Sequence, residues 1–161
     1  MLSFADFVVS ALPMGHALGR IGCFLNGCCH GMICSSFLGV KYPANTLPWH
    51  RQLELGLIDR FTARTMPVHP VQLYESIFNI FLYLFLMYVY TRRKMSGIVI
   101  TAYLLLYPLG RFIFEFFRGD ERLHVGHFTM AQWFSVLLFA IGLISGIRLL
   151  YLYARRDKTQ I

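Results

Sequence analysis

The sequence predicts an all-α fold: a polytopic membrane helix bundle with about four membrane segments and an outward-facing loop region, forming one membrane domain over residues 1–161. Three observations lead there. Hydrophobic residues fill 57% of the chain and charged residues 14%, against about 25% charged in soluble domains. The apolar residues gather into stretches close to the ~20 residues that cross a bilayer. Polar residues inside those stretches recur at helical spacing, so each helix carries a polar stripe rather than scattered polar sites. The 15 Phe and 9 Tyr residues suit lipid-facing surfaces and interfacial belts.

The first span is expected at about 7–26. It is the weakest, broken by Pro13, bearing Gly15, Gly19 and Gly22, and holding His16 and Arg20 inside it. Residues 27–72 contain Pro43, Pro48, Pro67 and Pro70 and read as an extracytoplasmic loop with a short helix near residues 51–61. The remaining spans fall at about 73–90, 97–117 and 130–153. Arg92, Arg93 and Lys94 lie between the second and third, and Arg155, Arg156 and Lys158 follow the fourth. Short basic segments remain on the cytoplasmic side, which puts the C-terminus there. The Pro-rich loop and the 118–127 turn then face outward, with Asp120 and Glu121 offsetting Arg118 and Arg122. No cleavable signal peptide is expected, because the opening residues lack a basic n-region. The net charge of +7 concentrates at span ends. Membrane topology and anionic head groups account for it, and no nucleic-acid partner is expected.

Three stripes carry the polar groups. His16, Arg20 and Cys23 share one face of the first span. Gln72, Glu75, Ser76, Asn79 and Tyr83 share one face of the second. Tyr107, Arg111, Glu115 and Arg118 fall within a sector of roughly 80° on the third, at about 100° per helical residue. Lipid cannot satisfy such groups, so they must satisfy one another or a ligand. An arginine at mid-bilayer costs about 2.5–3.5 kcal/mol by insertion scales, and Arg111 sits in the middle of its apolar stretch. Two guanidinium groups on that third stripe, Arg111 and Arg118, point to an anionic ligand, above all a phosphate. Gly19 and Gly22 beside Arg20 permit close backbone approach to that group. Plainer readings stand beside these. The glycines could serve helix packing while Arg20 reaches an interface. Arg111 and Glu115 could be an i, i+4 ion pair that fixes the bundle. His69-Pro70 reads as a helix start, Tyr74 as an interfacial aromatic, and Gly142 with Gly146 as a small-xxx-small packing pair.

Taken in order, these segments resemble the prolipoprotein diacylglyceryl transferase family. The likeness runs through Gly15-His16-Ala17-Leu18, Gly19-Arg20-Ile21-Gly22 and Phe24-Leu25-Asn26-Gly27, closing on Gly31. It continues in His69-Pro70-Val71-Gln72-Leu73-Tyr74-Glu75, in the element from Tyr107 to Arg118, and in Met130-Ala131-Gln132. Several elements in one order are more specific than any one of them. The resemblance implies an enzyme of a bacterial inner membrane. Such an enzyme moves the diacylglyceryl group of phosphatidylglycerol to the lipobox cysteine thiol in the signal-peptide region of a prolipoprotein, with glycerol phosphate leaving. It implies catalytic roles for Arg20 and Arg111 against the departing phosphate, with Glu115 and Tyr107 orienting Arg111. It implies substrate contacts from Asn26, Gly31, His69, Glu75 and Arg118, with helix-to-helix bonding as the other role open to Asn26 and Glu75, and no cofactor or metal.

The chain departs from the family pattern twice. It matches the C-terminal part of a seven-span architecture, so about three upstream spans, with a histidine-glycine element suited to the thiol's base, are expected on a missing N-terminal half. The usual Gly-Asn-Phe-x-Asn-Gly-Glu signature reads Gly22-Cys23-Phe24-Leu25-Asn26-Gly27-Cys28 here. A thiol is a weak donor and acceptor where an amide and a carboxylate are strong ones. A divergent or split homologue that serves as a lipid-binding subunit is therefore the alternative. A second alternative is a metal or redox site at Cys23, Cys28, Cys29, His30 and Cys34. Their spacing matches no standard zinc pattern, and adjacent Cys28 and Cys29 would be strained as ligands of one tetrahedral ion. A disulfide and simply packed thiols are the other readings of these cysteines.

Overall fold

The computed structural model describes residues 2–120 and 122–158, so Glu121 of the outer turn lies outside the described residues. The elements run α1 (Leu2–Asn26), α2 (Leu47–Glu54), α3 (Val71–Arg92), α4 (Ile98–Glu115), β1 (His124–Val125), β2 (Phe128–Thr129) and α5 (Met130–Lys158). Helices α1, α3, α4 and α5 are long and apolar enough to cross a membrane. The fold is thus the expected helix bundle, with one two-stranded hairpin as its only sheet among the described residues.

Helix α1 packs on α3, α3 on α4, and α1 also reaches α4, whereas α5 packs mainly on α4. Three helices therefore enclose an interior and the fourth flanks them. In α3 and α4, 28% of the most apolar window is buried, but only 11% in α5, which leaves most of α5 to lipid. Phe4, Leu25, Phe81, Ile144 and Leu150 are exposed for the same reason. The interior is divided along its length. Leu82, Leu86 and Val99 form an apolar core with Phe78, Tyr103 and Leu106 around it. Toward the other end of α3 the buried residues are Gln72, Glu75, Ser76 and Asn79.

Helix α1 runs through Pro13 without a break, contrary to the sequence expectation. A membrane span tolerates an internal proline when neighbouring helices and hydroxyl side chains satisfy the freed backbone groups. Pro13 is buried, and Ser10 Oγ one turn earlier donates to the Phe7 carbonyl at 2.7 Å. Helix α4 likewise continues through Pro108. Near its start α1 contributes Asp6, which is fully buried. Its carboxylate accepts hydrogen bonds from Gly97 N at 2.7 Å and Ile100 N at 3.1 Å, and Arg93 Nε lies 3.6 Å away. An anion there satisfies the orphan amides of α4 and complements its dipole.

Gly142 and Gly146 face α4, as their spacing suggested. A Cβ on Gly142 would stand 3.0 Å from the backbone of Leu104, and one on Gly146 3.5 Å from Thr101 Cγ2. Gly142→Leu is expected to wedge α5 off α4 and cost about 1–3 kcal/mol, the usual range for overpacking. Gly146→Ala, with ordinary contact distance available, should be near neutral. Thermal unfolding of both variants in one detergent checks the contrast.

The long loop forms a cap over one end of the bundle. Its helix covers Leu47–Glu54 rather than residues 51–61, because Pro48 starts it and Gly56, at φ +68°, turns the chain away soon after its end. Gln52 clamps the backbone of Met66 through both ends of its amide, and Trp49 Nε1 donates to the Thr62 carbonyl at 2.8 Å. The turn after α4 meets the loop at the same end, where Gly31 pairs with Arg118 and Met32 N donates to the Phe117 carbonyl at 2.9 Å.

Candidate functional site

Glu75 lies in the first turns of α3 with its side chain 4% exposed. A carboxylate there is favoured by the helix dipole, but a buried charge needs partners as well. Three elements supply them. Arg20 of α1 places Nε against Glu75 Oε2 in an ion pair. Arg111 of α4 places Nη1 3.4 Å from Oε1, and Arg118, beyond the end of α4, places Nη1 3.6 Å from the same oxygen. The sequence reading gave Glu75 either to substrate or to holding the helices together. The structure gives it a prior task as the common counter-ion of three guanidinium groups.

Arg111 and Arg118 are also held from behind. Arg111 Nη1 contacts Glu115 Oε2 at 2.7 Å, the expected i, i+4 pair. Glu115 Oε1 accepts a hydrogen bond from Thr129 Oγ1 at 2.9 Å. Thr129 N donates to Gln132 Oε1 and Gln132 N to Thr129 Oγ1, a reciprocal cap at the start of α5. Thr-x-x-Gln ahead of an apolar run is a sequence signal for that cap, and it went unread. Arg118 makes a bidentate pair with Asp120, at 3.0 and 2.9 Å, and Arg122 joins the same carboxylate at 2.8 Å. Burial works against the Arg118 charge, but Asp120 outweighs it, and its pKa lies above the ordinary guanidinium value.

Helices α1, α3 and α4 enclose a cavity of about 360 Å³ on the open side of this cluster. Gly15, His16, Gly19, Arg20 and Cys23 line it from α1, Glu75, Phe78 and Asn79 from α3, and Tyr107, Arg111 and Phe114 from α4. A Cβ on Gly15 or Gly19 would meet nothing within 4 Å. These glycines therefore do not serve close helix packing; they leave the wall bare. Charged lining residues are Arg20, Arg111 and Glu75, a net charge of +1 among the residues that line the cavity. That matches a phosphodiester monoanion. Arg111 stands four residues before the last residue of α4, about 6 Å along the axis and not at mid-span as its apolar stretch suggested. The charged cluster thus lies near the capped end of the bundle, where the cost of holding it is lower than at the bilayer centre.

The family model described as prolipoprotein diacylglyceryl transferase matches residues 1–148. The chain belongs to the prolipoprotein diacylglyceryl transferase family. It is 36% identical over 144 residues to phosphatidylglycerol–prolipoprotein diacylglyceryl transferase 2 of Clostridium perfringens, covering 89% of this chain and 51% of that protein. A Clostridium tetani relative named phosphatidylglycerol–prolipoprotein diacylglyceryl transferase is 33% identical over 143 residues, 89% of this chain and 52% of its own length. One of the same name from Clostridioides difficile is 33% identical over 160 residues, 99% of this chain and 54% of its own length. The chain spans about half the length of the curated relatives it matches.

In this member of the diacylglyceryl transferase family the remaining expected residues separate into two groups. Tyr107 lines the cavity, but its ring stacks on Tyr103 at 5.0 Å and leans at a tilt against His16 at 4.9 Å between centroids. The structure brings His16, from the polar stripe of the first span, into the cavity wall. Asn26, Gly31 and His69 do not line the cavity. Asn26 is exposed at the end of α1. His69 packs edge-on against Phe117 and Tyr74 in the cap. Gly31 is a packing glycine, since a Cβ there would fall 2.5 Å from the His69 carbonyl oxygen. That neighbour is backbone and cannot swing aside. Gly31→Ala is expected to cost about 1–3 kcal/mol and to loosen the Gly31–Arg118 bridge. Thermal unfolding measures the first effect, and amide exchange at residues 117–119 the second.

The substituted positions Cys23 and Cys28 lie beside Cys29, with the three sulfur atoms within 4.8 Å of one another. All four cysteines are free, and Cys34 is buried apart from this group. Burial pushes the Cys28 thiol up, but hydrogen-bonding contacts with Asn26, Cys23 and Cys29 outweigh it and leave its pKa below the ordinary thiol value.

Proposed function

We propose that the cavity receives the phosphate of phosphatidylglycerol, and that this chain carries the phosphate-binding half of a phosphatidylglycerol–prolipoprotein diacylglyceryl transferase site. One observation carries the reading: two guanidinium groups from opposite walls, Arg20 and Arg111, meet at a cavity whose lining is one positive charge in excess. Glu75 uses Nε of Arg20 and Nη1 of Arg111, which leaves further N–H donors on each for a phosphate. Glu75 and Glu115 hold these groups before a ligand arrives, so little reorganisation remains at the moment of reaction.

The transfer needs an acceptor thiolate. Its sulfur attacks the glyceryl carbon, the carbon–oxygen bond to phosphate breaks, and glycerol phosphate leaves with the electron pair. The phosphate gains negative charge as it departs, and Arg20 and Arg111 stabilise that charge. His16 in the cavity wall supplies an imidazole nitrogen as the base for the thiol proton. In this reading the protein is multi-pass in a bacterial cytoplasmic membrane, with the cap outward and Arg92, Arg93 and Lys94 inward.

Complementation tests the proposal. The chain is expressed in cells depleted of their own transferase, alone and together with the upstream half of a full-length relative. Palmitate labelling of lipoproteins should return in at least one of the two. If neither arm restores labelling and the purified chain retains no phosphatidylglycerol, the reading falls.

A further inference from the structure

Cys23 lines the edge of the phosphate cavity, but no role there falls to Cys28 or Cys29, and the three together have the geometry of a ligand set. We propose that these three thiolates bind one soft d10 metal ion of the zinc(II) or copper(I) class, leaving a further position for an exogenous ligand. Sulfur atoms bound to one such ion at about 2.3 Å stand roughly 3.8–4.0 Å apart. The three sulfur atoms already lie within 4.8 Å of one another, so closure onto an ion needs a shift of about an ångström or less.

The backbone resolves what made the sequence spacing look unfit. Gly27 at φ +74° ends α1, and Cys29 takes the left-handed conformation at φ +60°. The chain doubles back, and adjacent Cys28 and Cys29 both bring sulfur toward Cys23. A left-handed non-glycine residue costs about 1–2 kcal/mol, and such conformations gather at functional sites. Here the surroundings enforce it. Gln72 Nε2 donates to the Cys28 carbonyl at 2.8 Å, and Gly31 N to the His69 carbonyl at 3.0 Å.

Charge also favours the ion. Three thiolates and a divalent cation sum to −1. Arg20 lines the same cavity wall as Cys23, and Arg118 bridges Gly31 two residues after Cys29. The two guanidinium groups flank the cluster and stabilise thiolate ligands. All three cysteines are half-buried, which shields a bound ion while leaving it a path in. A disulfide would use two sulfurs and strand the third, and Cys34 is not at hand to pair with it.

The test uses the full chain, purified in detergent and reduced without oxygen, and needs no lipid substrate, so it succeeds or fails independently of the transfer reaction. Cobalt(II) is the probe for the zinc class. One equivalent should produce sulfur-to-cobalt charge-transfer absorption, which zinc(II) or copper(I) then bleaches, the more effective ion identifying the natural class. Cys23→Ser, Cys28→Ser and Cys29→Ser should each weaken binding by more than the roughly tenfold typical of losing an outer-shell partner, and Cys34→Ser should not. In the unmutated chain, either metal should protect these three thiols and leave Cys34 to react with a maleimide once detergent is replaced by denaturant. Absence of thiolate charge transfer with cobalt(II) together with absence of copper(I) binding at the three thiols, or equal loss in Cys34→Ser, overturns the proposal. So does a disulfide joining any two of the three in protein isolated without reductant.

Discussion

Glu75→Gln is expected to destabilise the bundle by about 3–5 kcal/mol, the cost of removing one partner from a buried ion cluster. Gln keeps the shape of the side chain, so the loss is electrostatic. Arg20, Arg111 and Arg118 would then converge on a neutral amide, with one oxygen to accept from all of them. Arg111 retains Glu115 and Arg118 retains Asp120, but Arg20 has no second carboxylate within ion-pair distance among the described residues. Pairing Glu75→Gln with Arg20→Gln should therefore recover part of the lost stability, since the stranded charge goes with its counter-ion. Unfolding in mixed micelles measures both variants. A single variant within about 0.5 kcal/mol of the parent, the scatter of ordinary surface changes, would remove Glu75 from the centre of the account.

Arg111→Ala is expected to act mainly on the chemistry, leaving membrane insertion intact. Glu75 keeps Arg20 and Arg118 when Arg111 is lost, whereas buried Glu115 keeps only the Thr129 hydroxyl, a local cost that adding Glu115→Gln should relieve. What disappears is one of two guanidinium groups on the cavity wall. Removing a preorganised donor from a developing oxyanion lowers turnover about 10²–10³-fold. Arg111→Lys should recover only part of this, because an ammonium cannot contact Glu75, Glu115 and a phosphate through a planar fork. Palmitate labelling in the complementing strain reads the rate, and phosphatidylglycerol retained through purification reads the binding. Full labelling by Arg111→Ala would show that the phosphate is held elsewhere. The two variants separate the cluster's tasks: Glu75 gathers the arginines, and Arg111 presents charge to the ligand.

Much of this arrangement was legible in residue order. Four spans follow from local hydropathy, and the Arg111–Glu115 pair follows from i, i+4 spacing, because both depend on neighbours along one helix. The buried face of α3, from Gln72 to Asn79, was visible in the same way. Arg118 shows where that reasoning stops. Helical periodicity put it on the Arg111 stripe, yet α4 ends at Glu115, and the strand-like pairing with Gly31 carries Arg118 back to Glu75. Asn26 and His69 sat within motif segments beside true cavity residues, but a motif does not say which of its side chains face inward. The Cys28–Cys29 pair looked unfit for a common ligand until the left-handed turn at Cys29 was known.

Residue order alone thus determined which segments enter the membrane, which face of each is polar, and that arginines occupy those faces. The tertiary structure decided that Arg20, Arg111 and Arg118 share one carboxylate, that Gly15 and Gly19 open a cavity instead of closing a contact, and that three cysteines meet beside it. The physical reason is one of range. Hydropathy and periodicity report the torsions and burial of a single helix, whereas the rotation and register of one helix against another are set by packing and charge pairing between residues far apart in the chain.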